Sequence, residues 1–293
     1  MSIINILKKH LLYTNYNIGF VENNIKGIIS GESIKVKWVK HHYKDRWFAD
    51  PFILEVNDTE FVVLVEEWYD PTKKGRISRL IIDKHSLKIK DLKVVLDLDT
   101  HLSFPAIEKV GNDIYIHPEN SAQNCHKSYK YNSRLDIFEE SYLISNKPLV
   151  DSVFTDYFGD RLLFTTELPD ANTKTLNIYT KDINSNLYNH KESISFKENI
   201  ARMAGNFFMV DGEVYRPSQV CIRSYGDAVS IQRVSFNNGD WTFNEIRRIY
   251  SPSKKYQLGF HTFNLYKDTI VVDALGYKYN NLLSFLRFLR LKS

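Results

Sequence analysis

A weak repeat of about 50 residues constrains the fold of this chain more than any other feature. Short apolar runs that open with a polar or small residue recur at 48–53, 101–107, 151–158, 201–208 and 259–264. Each run is followed by a turn signal and a second apolar run, which is the pattern of a β-hairpin. Because this spacing is typical of propeller blades, the sequence predicts an all-β, five-bladed β-propeller with four strands per blade. A β-sandwich also has many short strands but does not explain the recurrence.

The fifth repeat ends with too few strands for a blade, whereas two β-like runs at 17–22 and 33–40 precede the first repeat. They predict a fifth blade completed by N-terminal strands, since such closure removes an exposed sheet edge. We expect one domain over 1–293, and removing the N-terminal strands is expected to unfold it. The expected blades lie near 48–98, 101–147, 150–198, 201–250, and 258–277 together with 15–40.

The two ends of the chain do not follow the repeat. Leu, Phe and Arg recur at helical spacing in 280–293, which predicts a short, basic, amphipathic C-terminal helix. This helix either packs on the propeller or contacts an acidic membrane surface or a membrane-bound partner. The opening segment 4–12 has the same two interpretations.

Composition excludes several classes of function. The net charge of +4 comes from scattered Lys and Arg, so no nucleic-acid partner is expected. The chain has only two cysteines, no signal-peptide pattern and no apolar run long enough to span a membrane, which predicts a cytoplasmic protein without a disulfide framework. Aromatic residues make up 14% of the chain, and they favour strands and offer flat faces on which sugar rings stack.

The innermost strand of each propeller blade brings residues near its start to the mouth of the central channel. Applied to the five repeats, this rule selects one polar set per blade: Asp50, His101 with Ser103, Asp151, Arg202 and His261. The second runs add Glu66, Glu67, Glu119, Asn120, Glu167, Arg216 and Gln219. Charged groups gathered in a confined channel must be paired, solvated or functional.

Two carboxylates that face a sugar can act as nucleophile or base and as acid at a glycosidic bond. Asp50, beside Trp47, is the first candidate for the nucleophile or base, and an Asp-Pro turn is the alternative. Asp151 is either a second catalytic carboxylate or a strand cap. The acid is expected to be Glu119 or, failing that, Glu167.

The cationic candidates have two interpretations. Arg202 and Arg216 hold a phosphate or carboxylate, or they neutralise nearby acids. His101 and His261 are expected to hydrogen-bond sugar hydroxyls, as are Ser103, Asn120 and Gln219. The spacing around the histidines has no metal-ligand pattern, and no cofactor is expected.

Several strings in the chain carry a family resemblance. They are WFADPF, EEW, HLSFP, YIHPEN, LLFTTE, ARMAGNF, YRPSQ and GFHTFN, in order along about 17–277. They resemble the N-terminal domain of the plant glucosamine inositolphosphorylceramide transferases and its stand-alone bacterial relatives. The Asp-Pro of the first blade resembles, more distantly, the five-bladed furanosidases, which include arabinanases, fructosidases and levansucrases. The resemblance implies a five-bladed propeller in a carbohydrate context.

The resemblance also implies roles for particular residues. Asp50 matches the catalytic carboxylate of the furanosidases on blade one, and Asp151 matches their blade-three aspartate. Those enzymes carry a glutamic acid on blade four, where this chain has Arg202 in ARMAGNF. The departure puts hydrolysis by the usual three carboxylates in doubt. The separate glycosyltransferase domain of the plant proteins is absent from this sequence.

These expectations combine into one leading hypothesis with two alternatives. The leading hypothesis is a transferase that moves or processes a sugar, in particular a furanose. It would act during assembly of a bacterial surface polysaccharide such as capsule or O-antigen, either free in the cytoplasm or associated with the membrane. Its partners would be a sugar donor and a glycan or lipid-linked acceptor. The alternatives are a furanosidase-type hydrolase and a non-catalytic glycan-binding propeller.

Overall fold

The computed structural model describes residues 13–185 and 187–278, and this part of the chain is almost entirely β. The predicted C-terminal helix and the segment 4–12 lie outside these residues. The twenty strands in chain order are β1 Thr14–Val21, β2 Val36–Trp38, β3 Arg46–Val56, β4 Glu60–Tyr69, β5 Lys74–Asp83, β6 Ile89–Leu96, β7 Ser103–Val110, β8 Asp113–Glu119, β9 His126–Asn132, β10 Ile137–Ser145, β11 Leu149–Phe158, β12 Asp160–Glu167, β13 Thr175–Lys181, β14 Tyr188–Ser195, β15 Phe208–Val210, β16 Glu213–Val220, β17 Ala228–Asn237, β18 Asp240–Ile249, β19 Phe263–Tyr266 and β20 Thr269–Tyr277. One short helix, α1 (Ile25–Ile29), and a single 3-10 turn (Ser121–Gln123) complete the described elements.

The strands form five four-stranded antiparallel sheets, one for each predicted blade. Blades one to four contain β3–β6, β7–β10, β11–β14 and β15–β18 in chain order, and the fifth has the order β19-β20-β1-β2. The predicted five-bladed fold is therefore confirmed. The turns match their sequence: Asp211 and Gly212 between β15 and β16 both have positive φ, of 52° and 81°, as a tight Asp-Gly hairpin requires.

Closure by the N-terminal strands is also confirmed. Strand β1 pairs with β20 over eight residues, from Thr14 opposite Tyr277 to Val21 opposite Ile270, and pairs with β2 on its other edge. The C-terminal edge of the fifth blade thus finds its partners in the N-terminal part of the chain. Ring closure therefore depends on contacts between the two ends of the sequence.

The hydrophobic core lies between neighbouring blades. Ile18 and Phe20 of β1 pack with Phe48 and Val63 of blade one, which joins the first and fifth blades. Helix α1 inserts Ile28, which is fully buried, into the cluster of the fourth and fifth blades. This packing holds the first strands of the blades around one axis and fixes the position of the side chains at the centre. Within the described residues, no helix is long and apolar enough to cross a bilayer.

Candidate active site

The innermost strands of the first three blades share a backbone irregularity. Asp50, Phe104 and Asp151 have φ values of 47°, 46° and 47°, and the register of each strand shifts at this point. Such bulges re-aim a side chain, and positive φ is strained for residues other than glycine. In blades one and three the bulge presents a carboxylate to the channel, whereas blade two carries Phe104, which packs edge-on against Phe52. The repeat therefore places Asp50 and Asp151 in equivalent positions.

The Asp50 side of the centre is held by backbone amides and a histidine. Asp273 of β20 accepts hydrogen bonds from the backbone amides of Asp50 at 2.8 Å, Thr262 at 3.0 Å and His261 at 3.3 Å. It also contacts the Nδ1 atom of His261 at 2.7 Å. Asp50 Oδ2 in turn accepts the amide of Phe104 at 3.1 Å, and His261 Nε2 lies 3.4 Å from Asp50 Oδ1. Carboxylates therefore tie blades five, one and two together at the centre.

The Asp151 side is organised by an arginine. Arg202 donates from Nε to Asp151 at 2.6 Å and from Nη2 to Glu119 at 3.2 Å. Its Nη1 donates to Asn172 at 3.2 Å. Gln219 donates from Nε2 to the same Asp151 oxygen at 2.7 Å. Arg202 thus neutralises acids of blades two and three, which was one of its two expected roles.

The alternation of side chains along the second strands decides which glutamates face the centre. Glu66 lies opposite Ala49, and Glu119 lies opposite Ser103, so both occupy the position beside a bulge. The equivalent residue in blade three is Thr166, opposite Val150, and Glu167 comes one residue later. The expectation that Glu167 joins the site is therefore corrected. Its carboxylate instead accepts from Tyr179 at 2.6 Å and Lys147 at 3.1 Å.

Two further candidates also lie away from the centre. Asn120 follows Glu119, is buried and donates from its amide nitrogen to Thr100 at 2.8 Å rather than to a group at the centre. Arg216 is fully buried, donates to the Ala201 carbonyl and to Gln232, and burial lowers its pKa to about 9. Because this guanidinium has no exposed surface, it is not placed to contact a substrate.

Two remaining candidates, His101 and Ser103, lie beside the glutamates of blades one and two. His101 is part-exposed and lies 3.6 Å from Glu66, while its Nδ1 accepts the amide of Gly75 at 2.8 Å. Ser103 is buried beside Glu119 in the register of blade two. Both residues are near the acids, as the first-strand rule predicts.

An aromatic rim surrounds the acids on the side of blades one and five. Trp47 stacks parallel on Trp68, with ring centroids 5.6 Å apart, and also contacts Tyr16 at 5.4 Å. Tyr16 stacks on His261 at 4.6 Å. Opposite them, Tyr225 lies edge-on to His261 and under the guanidinium of Arg202 at 5.0 Å. Flat rings around buried carboxylates are the surface that a sugar ring requires.

Burial and mutual repulsion raise the pKa of three acids at the centre, Asp50, Asp151 and Glu66. Desolvation raises the pKa of Asp50 to about 7, with His261 opposing the shift. Burial likewise raises the pKa of Asp151 to about 7 against the effect of Arg202, since one guanidinium serves both Asp151 and Glu119. Desolvation and the nearby Asp50 raise the pKa of Glu66 well above its usual range. Burial thus raises the pKa of all three acids toward or beyond neutrality, which is the range that acid–base chemistry needs.

His261 and Asp273 act as a fixed ion pair in this arrangement. The pKa of His261 rises to about 9 because Asp273 and Asp50 outweigh the effect of burial. The pKa of Asp273 is lowered by His261 and by its backbone donors, although burial opposes this.

Asp50, His261 and Asp273 also bring potential metal ligands within 4.8 Å of one another. Asp273 already accepts three backbone amides, and its partner His261 is protonated at neutral pH, so a cation would have to displace existing contacts. The donor set therefore fits an ion pair better than a metal ion.

Sequence reasoning missed four residues of the site: Tyr16, Trp68, Tyr225 and Asp273. Glu66 was considered only as part of a pair with Glu67, and strand alternation is the signal that separates them. Glu67 points away and pairs with Arg46 at 2.7 Å. Asp273 is the single acid in an apolar strand, TIVVDALG, which marks it as a buried acid that needs a partner.

Comparisons with known proteins agree with this architecture. The family described as "Glucosamine inositolphosphorylceramide transferase 1, N-terminal" matches residues 34–266. Glucosamine inositolphosphorylceramide transferase 1 of Oryza sativa subsp. japonica is 28% identical over 200 residues, which cover 66% of this chain and 27% of that protein. The Arabidopsis thaliana protein of the same name is 26% identical over 201 residues, covering 64% of this chain and 25% of the relative. The chain thus spans about a quarter of the length of these relatives.

Two glycoside hydrolases are among the solved structures that resemble this fold. The GH32 β-fructofuranosidase BmSUC1 of Bombyx mori superposes with a TM-score of 0.54 and 12% identity, over 72% of this chain and 54% of that chain. CoXyl43, a GH43 β-xylosidase/α-arabinofuranosidase from a compost metagenome, gives a TM-score of 0.54 and 11% identity, over 80% and 92% of the two chains. At these identities the likeness shows the fold alone. Sequence and fold together establish that the chain belongs to the family of glucosamine inositolphosphorylceramide transferase 1 N-terminal domains.

Proposed function

We propose that the centre of the propeller is an active site that transfers a glycosyl unit, a furanose in particular, to a glycan or lipid-linked acceptor during assembly of a bacterial surface polysaccharide. The observation that carries the proposal is the arrangement of two neighbouring carboxyl groups, Asp50 and Glu66, beside the aromatic rim, where burial raises the pKa of both. The relatives' printed name, a glucosamine transferase, supports transfer. Cys125 and Cys221 are both free thiols, which agrees with a cytoplasmic site of action.

The proposed mechanism assigns the two carboxyl groups opposite roles. Glu66 donates its proton to the oxygen that leaves the anomeric carbon, and the bond between that carbon and oxygen breaks. In one route Asp50 attacks the anomeric carbon and is then displaced by the acceptor oxygen, whose proton passes to the Glu66 carboxylate. In the other route Asp50 removes the proton of the acceptor hydroxyl as the new bond forms. Glu119 is a weaker candidate for the acid than the sequence suggested, because it accepts hydrogen bonds from Arg202 and Ser121 as a carboxylate does.

Arg202 and Asp151 set the charge around the reacting groups in this mechanism. Asp151 contributes to the raised pKa of Asp50, while Arg202 opposes it. His261 lies 3.4 Å from Asp50 and is placed to orient it. The surroundings of Asp50 therefore tune its pKa, and such tuning lets carboxyl groups take acid and base roles at neutral pH.

The test is to incubate the protein with nucleotide-linked and lipid-linked furanose donors and polyprenyl-linked glycan acceptors, and to follow products by mass spectrometry. Transfer yields an extended acceptor, whereas hydrolysis yields free sugar alone. Asp50→Asn is expected to lower turnover by about a thousandfold. Glu167→Gln is the matched control, because it removes a carboxylate outside the centre, and it should retain turnover within about twofold. Full activity of Asp50→Asn would overturn the assignment.

Glycan binding without catalysis is a second candidate, and one observation favours it. Asp151 and Glu119 are both paired with Arg202, so part of the acidic set is already neutralised within the protein. Under this candidate no donor is turned over, and Asp50→Asn keeps its affinity for the glycan.

A further inference from the structure

A basic recess lies at the edge of the fifth blade, between β1, the segment after β2 and the segment after β18. We call it the blade-five groove. Four of its fourteen lining residues are lysines, namely Lys40, Lys44, Lys255 and Lys278, and none is acidic. Lys278 lies 3.7 Å from Asp70, which is outside the lining. Among residues 13–185 and 187–278, no carboxylate forms an ion pair with the other three lysines, which are all exposed. This edge therefore presents positive charge to the solvent.

Aromatic side chains accompany the lysines around the groove. Trp38, Tyr43 and Tyr277 belong to the lining, and each is part-exposed. Trp38 packs on Tyr256, with ring centroids 4.7 Å apart, so its position is fixed by the fold. Tryptophan and tyrosine side chains favour the boundary between water and a lipid bilayer, because each combines an apolar ring with a polar group. The groove thus combines exposed cations with partly exposed rings.

The two end segments of the chain are joined to the propeller beside this groove. The backbone amide of Lys278 donates to the carbonyl of Tyr13 at 2.9 Å, and Tyr277 is the partner of Thr14 in the sheet. Residues 1–12 and 279–293 continue from these two positions, and neither segment contains an aspartate or a glutamate. Their basic residues stand among leucine, isoleucine and phenylalanine: Lys8, Lys9, Arg287, Arg290 and Lys292. The sequence therefore adds apolar and basic residues at the edge where the groove lies.

We infer that the blade-five groove is an interaction surface for an anionic lipid bilayer, and that the basic end segments strengthen the attraction. An anionic leaflet attracts lysine and arginine side chains that lie within about a Debye length of it, roughly 8–10 Å. Each such side chain raises the partition coefficient about fivefold. An acidic protein would match the lysines, but it would not account for the apolar residues of the end segments. A bilayer matches both.

The groove adjoins the centre of the propeller through Tyr16. This residue lines the groove, and its ring stacks on His261 at 4.6 Å. If the proposed transfer function holds, a bilayer bound at the groove lies beside the site where a lipid-linked acceptor would react. Membrane binding does not itself require turnover, so the two proposals are tested separately.

The experiment measures partition of the full chain by vesicle flotation. Vesicles of equimolar phosphatidylcholine and phosphatidylglycerol are compared with vesicles of phosphatidylcholine alone. We expect capture by the anionic vesicles only, and weaker capture as salt is raised. Lys40→Gln/Lys255→Gln should lower the partition coefficient about twentyfold. Lys174→Gln/Lys197→Gln removes the same charge from exposed lysines elsewhere and should leave it unchanged within about twofold.

Three outcomes of the flotation would overturn the inference. The first is no capture of the wild type by anionic vesicles, which would favour an acidic protein partner. The second is unchanged capture of Lys40→Gln/Lys255→Gln together with loss in Arg287→Gln/Arg290→Gln, which would assign binding to the end segment alone. The third is capture that differs between phosphatidylglycerol and phosphatidylserine at equal charge, which would indicate a site for one headgroup rather than a general anionic surface.

An environment-sensitive dye locates the contact. A nitrobenzoxadiazole dye attached at Lys44→Cys in a Cys125→Ser background should brighten and shift to the blue on anionic vesicles. Cys221 is buried and should not be labelled. The same dye at Lys174→Cys should not respond, and equal responses at the two positions would contradict a contact at the groove. Asp50→Asn should be captured as the wild type is, even where it fails in the transfer assay.

Both groove lysines that are substituted in the flotation test are exposed. The variant should therefore unfold at the same urea concentration as the wild type, so that lost capture reports on charge rather than on folding.

Discussion

Asp50 and Asp151 occupy the same position in two blades, yet their carboxylates have different partners. Both lie within a bulge and have a φ of 47°. Asp50 is held by a backbone amide and a histidine, whereas Asp151 is held by the side chains of Arg202 and Gln219. An arginine stays charged at every physiological pH, and a backbone amide carries no net charge. The blade repeat therefore supplies the position of a carboxylate, and the neighbouring blades decide its hydrogen-bond and ion-pair partners.

The comparison predicts that substitutions on the Asp50 side and on the Asp151 side of the centre have different effects on the free energy of unfolding. Removing Arg202 leaves the buried Asp151 and Glu119 without their cation. Removing His261 leaves Asp273 with its backbone donors. The titration of Asp50 has a third effect, on the pH dependence of stability. The aromatic rim next to Asp50 affects binding rather than folding.

Arg202→Met is expected to cause the largest loss of stability, about 3–5 kcal/mol at neutral pH. The substitution strands Asp151 and Glu119, which Arg202 contacts at 2.6 and 3.2 Å. Urea unfolding measures the loss, with Arg223→Met as control, since Arg223 is exposed and pairs with Asp227. The control should change stability by less than about 1 kcal/mol. Equal losses in the two variants would remove the distinction between the two sides.

Stability is expected to fall as the pH rises through neutrality, and Asp50 should cause part of the fall. Burial raises the pKa of Asp50 from 3.8 to about 7, so the folded state keeps a proton that the unfolded state has released. The stability from that proton is complete below the unfolded pKa and is lost as the pH rises through 7. Between about pH 5 and about pH 8, Asp50→Asn should lose about 2 kcal/mol less than the wild type. Parallel urea-unfolding profiles of the two proteins would contradict the raised pKa.

His261→Gln should cost less than Arg202→Met, about 1–2 kcal/mol at neutral pH. Asp273 keeps its three backbone donors from Asp50, His261 and Thr262 when the imidazole is removed. The pKa of His261 is raised to about 9, so its contribution is complete below its unfolded pKa and disappears as the pH rises through 9. The difference between wild type and variant should therefore shrink in alkaline urea titrations. A difference that grows with pH would show that His261 is neutral.

Trp68→Ala should have the smallest effect, about fivefold weaker sugar binding with little change in stability. Its ring stacks on Trp47, and the indole nitrogen donates to Asp70 at 3.1 Å. Trp68→Phe keeps a ring face and should recover most of the affinity. Calorimetry with the sugar identified by the transfer assay checks both variants. Identical affinities for the alanine and phenylalanine variants would exclude stacking at this position.

Much of the site followed from position in the repeat. The first-strand rule brought Asp50, Asp151, Arg202 and His261 to one place because a blade begins at the same point in each repeat of about 50 residues. The catalytic roles given to these residues remain predictions. The rule was less successful on the second strands, where Glu167 was chosen although Thr166 holds the position equivalent to Glu66. A shift of one residue moves a side chain to the opposite face of a strand.

The repeat pattern does not predict hydrogen bonds between residues that are far apart in the sequence. Asp273 lies 223 positions from Asp50 and accepts its backbone amide, and no local signal joins the two. Arg216 resembles a binding arginine in the sequence, yet its strand places it fully inside the core. Burial and partners depend on how blades pack against each other, and the periodicity of one strand does not encode that packing.

The sequence by itself determined that the chain is a five-bladed propeller, because the repeat, its turns and the unclaimed N-terminal strands are local patterns that allow few other arrangements. The tertiary structure decided the protonation and the partners of each acid. Asp50 and Asp151 have the same backbone φ but different ion-pair partners, because Arg202 contacts Asp151 and His261 contacts Asp50. Electrostatic energies depend on distance and burial, and both are set only when the blades close into a ring.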